Sequence, residues 1–329
     1  MGIHLSIAQW RGVDLLIEPR PFFSYLNLKG NNMKKPEDLK ILVVGDIMLD
    51  RYIVGDVTRI SPEAPVPIVN VYHQYYTLGG CGNVARNLAE LGTNVTCLAA
   101  TGNDDSGYKI KVSLQNLKIK DLLVQNKYQT TVKERIIADE RKIQMLRIDK
   151  ENVGVVDPEK AIRLLEQIKD GFNMIIISDY AKGMITIELM DYLRTHQNAP
   201  IIVDPKPTHG YMYNDIYMIT PNEKEWGIMQ VSSQYLLKGI SYILETKGRN
   251  GMTLYDSKQS WDIPAEPVEI YNVSGAGDTV ISVMAVCISM GYSPIDAAKI
   301  ANKCAGYVVT QTGTSIVPKN IFMKYIEGI

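Results

Sequence analysis

Val273-Ser274-Gly275-Ala276-Gly277-Asp278-Thr279 sets two glycines and an acid directly before an apolar run that begins at Val280. Glycines that open a helix present unpaired backbone N–H groups at the positive end of its dipole, which suits an anion. A carboxylate in such a cradle repels a static anion, but it suits a base that takes a proton from an attacking hydroxyl. The neighbouring amides then stabilise charge on a transferring phosphoryl group. The combination points to phosphoryl transfer; a plain structural turn is the alternative that a bare G-x-G leaves open. The third glycine of a dinucleotide fingerprint is missing, because Val280 holds its place, and no G-x-x-x-x-G-K-[ST] run occurs. A standard P-loop is thereby excluded and a dehydrogenase disfavoured.

Other polar residues close apolar runs that read as strands. Asp46, Asp179, Asp204, Asn222 and Thr246 all stand at or just beyond the end of such a run. Ligands of open parallel sheets bind outside the carboxyl ends of the strands, so these five are expected on one rim. Taken singly, each reads as a turn former or helix cap. His4, His73, His196 and His209 are dispersed, without metal-ligand spacing, and read as structural or surface residues.

The elements that must position these groups follow a regular pattern. Ile41-Leu42-Val43-Val44-Gly45-Asp46 is a continuous apolar run, as expected of a strand buried on both faces. Similar runs lie at 95–100, 174–179, 201–204, 216–220 and 242–246. Between several of them fall amphipathic helices: one from about Gly82 to Leu91, one capped by Asp157, one opening at Thr186. Strands alternating with helices predict an α/β fold with a mostly parallel sheet covered on both faces. Two segments break the rhythm. Tyr52 to Leu78 carries Pro62, Pro65 and Pro67, and Leu122 to Ile148 reads as three short strands. Both are expected to be antiparallel excursions that build a small β lid from about 52–78 and 122–148.

Composition bounds the remaining classes. Of 329 residues, 46% are hydrophobic and 22% charged, which excludes a disordered chain or a coiled coil. Thirty-five basic against thirty-six acidic residues provide no global field for nucleic acid or anionic lipid. Cys81, Cys97, Cys287 and Cys304 form no C-x-x-C pair and read as reduced, mostly buried thiols. No apolar run approaches the roughly 18 to 20 residues that span a bilayer. Residues 1–39 lack the features of a secretory signal and read as a non-catalytic extension, with Met33 as an alternative start. The expected location is cytoplasmic, and the expected catalytic domain is 40–329.

With these motifs assembled, a family resemblance emerges. Ser274-Gly275-Ala276-Gly277-Asp278 resembles the carboxyl-terminal signature of ribokinase-like (PfkB) sugar kinases, and Gly79-Gly80-Cys81-Gly82-Asn83 their amino-terminal sugar-binding motif. Asn222-Glu223-Lys224-Glu225 is similar to their N-x-x-E element. Thr246-Lys247-Gly248-Arg249-Asn250-Gly251 is similar to their T-x-G-x-x-G nucleotide loop. Ala301-Asn302 and Gly313-Thr314 resemble the helix and loop beside the adenine. The motifs follow family order from about 40 to 328. The resemblance implies a three-layer α/β/α sandwich with a β lid. A narrower likeness lies in Asp50-Arg51-Tyr52, Arg59 to Pro67, Ser178 to Gly183 and Val203 to Lys206. These resemble the kinase domains of bifunctional heptose enzymes, and the chain lacks the H-x-G-H motif of their second domain. A stand-alone heptose-7-phosphate kinase is the expectation. It would phosphorylate the anomeric hydroxyl of D-glycero-β-D-manno-heptose 7-phosphate for nucleotide-heptose (surface glycan) synthesis.

The resemblance also assigns roles. It implies Asp278 as the base, with Gly275, Ala276 and Gly277 supplying amides to the transferred group. Asp50 and Asn83 would bond sugar hydroxyls, and Gly79 and Gly80 would let the backbone approach the sugar. Arg51, Arg59, Lys182 and Lys206 are the cations available for a substrate phosphate. Asn222, Glu223, Lys224, Glu225, Thr246, Gly248, Gly251 and Asn302 would hold the nucleotide, Glu225 indirectly with Mg²⁺. The implied cofactors are ATP, Mg²⁺ and, optionally, a monovalent cation; Asn272, where the family has Asp, bears on that last point. Homodimerisation through the lid is implied in part by resemblance and in part by the need to cover strand edges. Two alternatives stay open: a PfkB kinase for another sugar or sugar phosphate, and a non-catalytic sensor on the same fold.

Overall fold

The run from Ile41 forms β1 (Lys40–Gly45), and from there strands and helices alternate through the chain. The lid strands β2 (Ile47–Ile60) and β3 (Pro67–Gly80) come next, then α1 (Cys81–Glu90), β4 (Asn94–Gly102), α2 (Asp105–Asn116) and β5 (Lys120–Asn126). After β6 (Val132–Ala138) and β7 (Ile143–Lys150) come α3 (Pro158–Glu166), β8 (Met174–Ser178), α4 (Ile187–His196) and β9 (Ile201–Asp204). The chain continues through β10 (Met218–Ile219), α5 (Glu223–Ser232), β11 (Tyr242–Thr246), β12 (Met252–Tyr255) and β13 (Ser260–Ile263). It closes with α6 (Ala276–Met290), α7 (Pro294–Val309) and α8 (Lys319–Glu327). The computed structural model describes residues 33–139, 143–151, 154–232, 239–311 and 315–328. Of the extension expected over residues 1–39, 1–32 lie outside them, and in the remainder Pro36 and Leu39 are buried.

Among the described residues the main sheet runs β13-β12-β11-β10-β9-β8-β1-β4-β5, parallel throughout except for β12 and β13. Alternate side chains of β1 enter opposite layers. Ile41 and Val43 pack with Leu88 of α1, Val283 of α6, Ala297 of α7 and Phe322 of α8. Leu42 and Val44 pack with Leu165 of α3, Leu189 of α4 and Trp226 of α5. The helix starts follow their caps: Asp157 accepts from the Glu159 N–H and Thr186 from the Leu189 N–H. All four cysteines are buried free thiols.

The lid is a second sheet, ordered β3-β2-β6-β7. It differs from the expectation in three respects. The first strand of the 122–148 segment is β5, which belongs to the main sheet and runs parallel to β4. The reason is α2, which the sequence reading left unassigned: a helical crossover returns the chain parallel to the strand before it. The lid also begins earlier, at Ile47, and its central pair β2 and β6 is parallel.

Candidate active site

β11, β10, β9, β8 and β1 are consecutive parallel neighbours, so Asp46, Asp179, Asp204, Asn222 and Thr246 share one rim. Two of them serve donors of neighbouring loops. Asp46 accepts N–H bonds from Tyr180 (2.8 Å), Lys182 (3.0 Å) and Met184 (3.0 Å), folding the loop after β8 over β1. Asp179 accepts from the Ala181 N–H, from Tyr213 Oη and at His209 Nδ1. Asp204 and Asp179 line a cavity of about 240 Å³ with Lys206, Glu225, Gly277 and Asp278.

Asp278 lies in the first turn of α6, behind Gly275, whose φ of 84° is left-handed and favours glycine. No side chain caps this helix, and a Cβ at Gly277 would meet open space. The Ala276 N–H closes a turn onto the Val273 carbonyl at 3.3 Å. Asn83 Nδ2 donates to Asp278 at 2.6 Å and Tyr180 Oη donates at 3.3 Å. Burial raises the Asp278 carboxyl to about 6, against the opposing pull of these two hydrogen bonds. The nearby Asp50 charge adds to the rise and Lys133 counters it. The Asp278 charge, with burial, pushes the Tyr180 phenol well above its ordinary range. Asn83 is held in turn. Asn87 Nδ2 donates to its carbonyl, Thr279 Oγ1 donates to Asn87 Oδ1, and Ser282 Oγ donates to the Val84 carbonyl. These bonds tie α1 to α6 and fix the base.

On the lid side Asp50 is buried, and its Oδ1 accepts from Arg135 Nη1 at 2.6 Å. Its Oδ2 lies so close to Gly79 that a Cβ there would strike it. Gly80, at φ 59°, approaches the Asp46 carbonyl in the same way. Arg51 points to the opposite face of β2, donating to Glu134 (2.9 Å) and Gln74 (2.6 Å). Arg59 is exposed at the far end of β2, roughly 30 Å along the strand from Asp50. Lys182 is paired with Glu151. Of the four expected cations, Lys206 lies in the Asp278 cavity.

On the other side of Gly277 a cleft of about 680 Å³ opens, lined by Asn222, Glu223, Lys224, Thr246, Gly248, Gly251 and Asn302. Its size suits a nucleotide. Asn222 and Glu225 form a reciprocal cap of α5. Asn222 Oδ1 accepts from the Lys224 and Glu225 N–H groups, and Glu225 Oε2 accepts from the Asn222 N–H. Gly251 has φ 85° and abuts the Ile263 carbonyl, while Asn302 Nδ2 donates to the Pro264 carbonyl at 2.8 Å. Asn272 Oδ1 accepts from the Ser274 N–H, shaping the loop ahead of the base. Gly313 and Thr314 lie outside the described residues.

Among the described residues no group of three or more acidic, His or Cys side chains stands ready to hold a metal alone. Mg²⁺ is bound through one or two carboxylates together with substrate phosphates. Asp204 and Glu225 share the cavity where such phosphates would meet the open α6 turn. The sequence reading missed Tyr180, Lys133 and Arg135. Their only signal was position: Tyr180 follows a strand-end acid, and Lys133 and Arg135 alternate along one strand.

The model of the pfkB family carbohydrate kinases matches residues 38–320. The bifunctional protein HldE of Caulobacter sp. (strain K31) is 37% identical over 308 residues, covering 88% of this chain and 63% of that protein. HldE of Actinobacillus succinogenes is 37% identical, covering 88% and 64%. The chain thus spans less than two thirds of the length of these relatives. Phosphofructokinase-2 from Escherichia coli superposes with a TM-score of 0.71 at 18% identity, covering 88% of this chain and 98% of that one. Ribokinase from Thermotoga maritima superposes with a TM-score of 0.65, covering 88% and 99%. With the fold, the glycine-opened helix and the family match in agreement, the chain belongs to the pfkB family of carbohydrate kinases, phosphotransferases that act on an alcohol group.

Proposed function

We propose that this chain transfers the γ-phosphoryl group of ATP to the anomeric hydroxyl of D-glycero-β-D-manno-heptose 7-phosphate, giving the 1,7-bisphosphate. The observation that carries the kinase reading is Asp278, a buried carboxylate poised near pH 6 between the lid and the nucleotide-sized cleft. A sensor has no use for such a base. The heptose rests on likeness to HldE proteins and on the Asp50-Arg51-Tyr52 and Arg59-to-Pro67 segments.

Asp278 takes the proton of the acceptor hydroxyl, while Tyr180 and Asn83 keep its carboxylate turned toward that hydroxyl. The buried Oδ1 of Asn83 has no hydrogen-bond partner among the described residues and would accept from the sugar. Asp50 Oδ2, against Gly79, offers a second acceptor. The cleft from Asn222 to Asn302 would hold the nucleotide, and the open turn at Gly277 would receive its phosphates. Asp204 and Glu225 would hold Mg²⁺, which neutralises phosphate charge when bound. Lys206, in the same cavity, would add a positive charge beside the transferred group. A homodimer formed through the lid and a cytoplasmic location complete the reading. Among the described residues no helix is long and apolar enough to cross a membrane.

The test is ADP release with Mg·ATP and a panel of heptose 7-phosphate, fructose 6-phosphate, ribose and unphosphorylated heptose. Heptose 7-phosphate should lead by at least tenfold in kcat/KM. Equal or better turnover of another acceptor rejects the heptose and keeps the kinase.

A further inference from the structure

Two cations that the motifs do not mark face the acceptor side. Lys133 and Arg135 are alternate residues of β6, so their side chains leave the same face of the lid. That face is the one of Asp50: Lys133 pairs with Asp50 and Arg135 with Tyr52 in the parallel register of β2 and β6. Between them, Glu134 points away to meet Arg51 and Lys150. The alternation thus sorts the charges, with the Arg51–Glu134–Lys150 cluster on one face and two cations against the single Asp50 carboxylate on the other.

Lys133 makes no ion pair among the described residues. Its Nζ lies 5.7 Å from the centroid of the Tyr180 ring, and the hydroxyl of that ring bonds Asp278. Its charge reaches the base, since it favours the ionised Asp278 carboxylate. Arg135 spends Nη1 on Asp50, lies 5.4 Å over the Tyr52 ring and retains its remaining donors. Two half-buried cations about 7 Å apart along one strand can close on a single phosphate. Of the other candidate cations, Arg51 is on the opposite face, Arg59 at the strand's far end and Lys182 paired with Glu151, while Lys206 lies in the Asp278 cavity beside Asp204.

We infer that Lys133 and Arg135 form the cationic end of the acceptor site and bind the phosphate that a sugar-phosphate substrate already carries. The inference rests on the sugar-phosphate reading above and names the residues that would enforce it. Arg135 has a second effect, because its bond to Asp50 fixes the carboxylate that meets the sugar. Lys133 is therefore the cleaner probe.

The experiment compares kcat/KM for heptose 7-phosphate with kcat/KM for the same heptose lacking the phosphate. It is run on the wild type, Lys133→Gln, Arg135→Gln and Arg135→Lys, with thermal melting as the folding control. A charge-assisted hydrogen bond is worth about ten- to a hundredfold, so Lys133→Gln should shrink the wild-type preference for the phosphorylated sugar by at least tenfold. Arg135→Gln should shrink it as well, and Arg135→Lys should restore part of it. If the wild type prefers the phosphorylated sugar and Lys133→Gln keeps that preference in a folded protein, the inference is overturned while the sugar-phosphate reading stands. If the wild type shows no preference, the sugar-phosphate reading itself falls, and the inference with it.

Discussion

Asn83 and Asp278, 195 positions apart in the chain, meet through a 2.6 Å hydrogen bond between the first turns of α1 and α6. The bond joins the Gly-Gly motif that precedes α1 to the Gly-Ala-Gly turn that opens α6. It also decides how the base behaves. Asn83 donates only to the carboxylate, so it opposes the upward push that burial exerts on Asp278.

Asp278→Asn should lower turnover by about a hundredfold or more while leaving the ATP dissociation constant within a few-fold. The amide keeps the shape and removes the proton acceptor. Single-turnover kinetics and nucleotide titration check both halves. Near wild-type turnover would remove Asp278 from the mechanism.

The same substitution should raise stability. The Asp278 pKa rises from 3.8 to about 6 on folding, so the folded state binds the proton more tightly. Its contribution is fully present below the unfolded value near 4 and is lost as pH rises through about 6. Above that pH, keeping the carboxylate charged and buried costs roughly 3 kcal/mol. Asn removes the charge, and a flip of the Asn83 amide offers its unpartnered Oδ1 to the new NH₂. The melting temperature of Asp278→Asn should exceed the wild type by several degrees at pH 8, with the gap closing toward pH 4. Activity has the opposite dependence: kcat should fall on the acid side of about pH 6 as the base takes up its proton.

Asn83→Asp should move that acid limb upward. It replaces a donor to the carboxylate with a second acid at hydrogen-bond distance, and two such groups cannot both ionise freely. A pH–rate profile with its midpoint unchanged would show that Asn83 does not tune the base.

Much of this site was legible because the parallel sheet is written in continuous apolar runs. Each run ends at the same edge, so the sequence alone places Asp46, Asp179, Asp204, Asn222 and Thr246 together. The roles within that edge were less legible. Asp46 and Asp179 are consumed by backbone and side-chain donors from loops, and no periodicity records where a loop folds back. The lid was misread at β5 because α2 has a weak apolar face, with only Gly107, Ile110 and Leu114 buried. Lys133 and Arg135 looked like ordinary strand charges until the register of β6 against β2 set them beside Asp50.

The nucleotide loop offers a matched pair of glycines. Gly251 has φ 85° and its missing Cβ would run into the Ile263 carbonyl, whereas Gly248 has φ 53° and open space around it. Gly251→Ala should lower the melting temperature and raise KM for ATP severalfold, because the loop must shift to relieve the clash. Gly248→Ala carries only the left-handed backbone strain, about 1 kcal/mol, and should be the milder change. Equal effects at the two positions would contradict the geometry.

The lid leaves an apolar surface uncovered. Its edge strands are β3 and β7, and on them Val71, Tyr72, Ile143, Met145 and Leu146 are 40–55% exposed. Open edges and apolar side chains together invite pairing, and a two-fold axis would let one lid cover the other. The protein should therefore sediment as a dimer at micromolar concentration. Leu146→Glu, which sets a charge among these side chains, should shift it toward the monomer without unfolding it. The lid also carries Asp50, so loss of the dimer should weaken acceptor binding more than ATP binding. A monomeric wild type at micromolar concentration would refute the lid as a subunit interface.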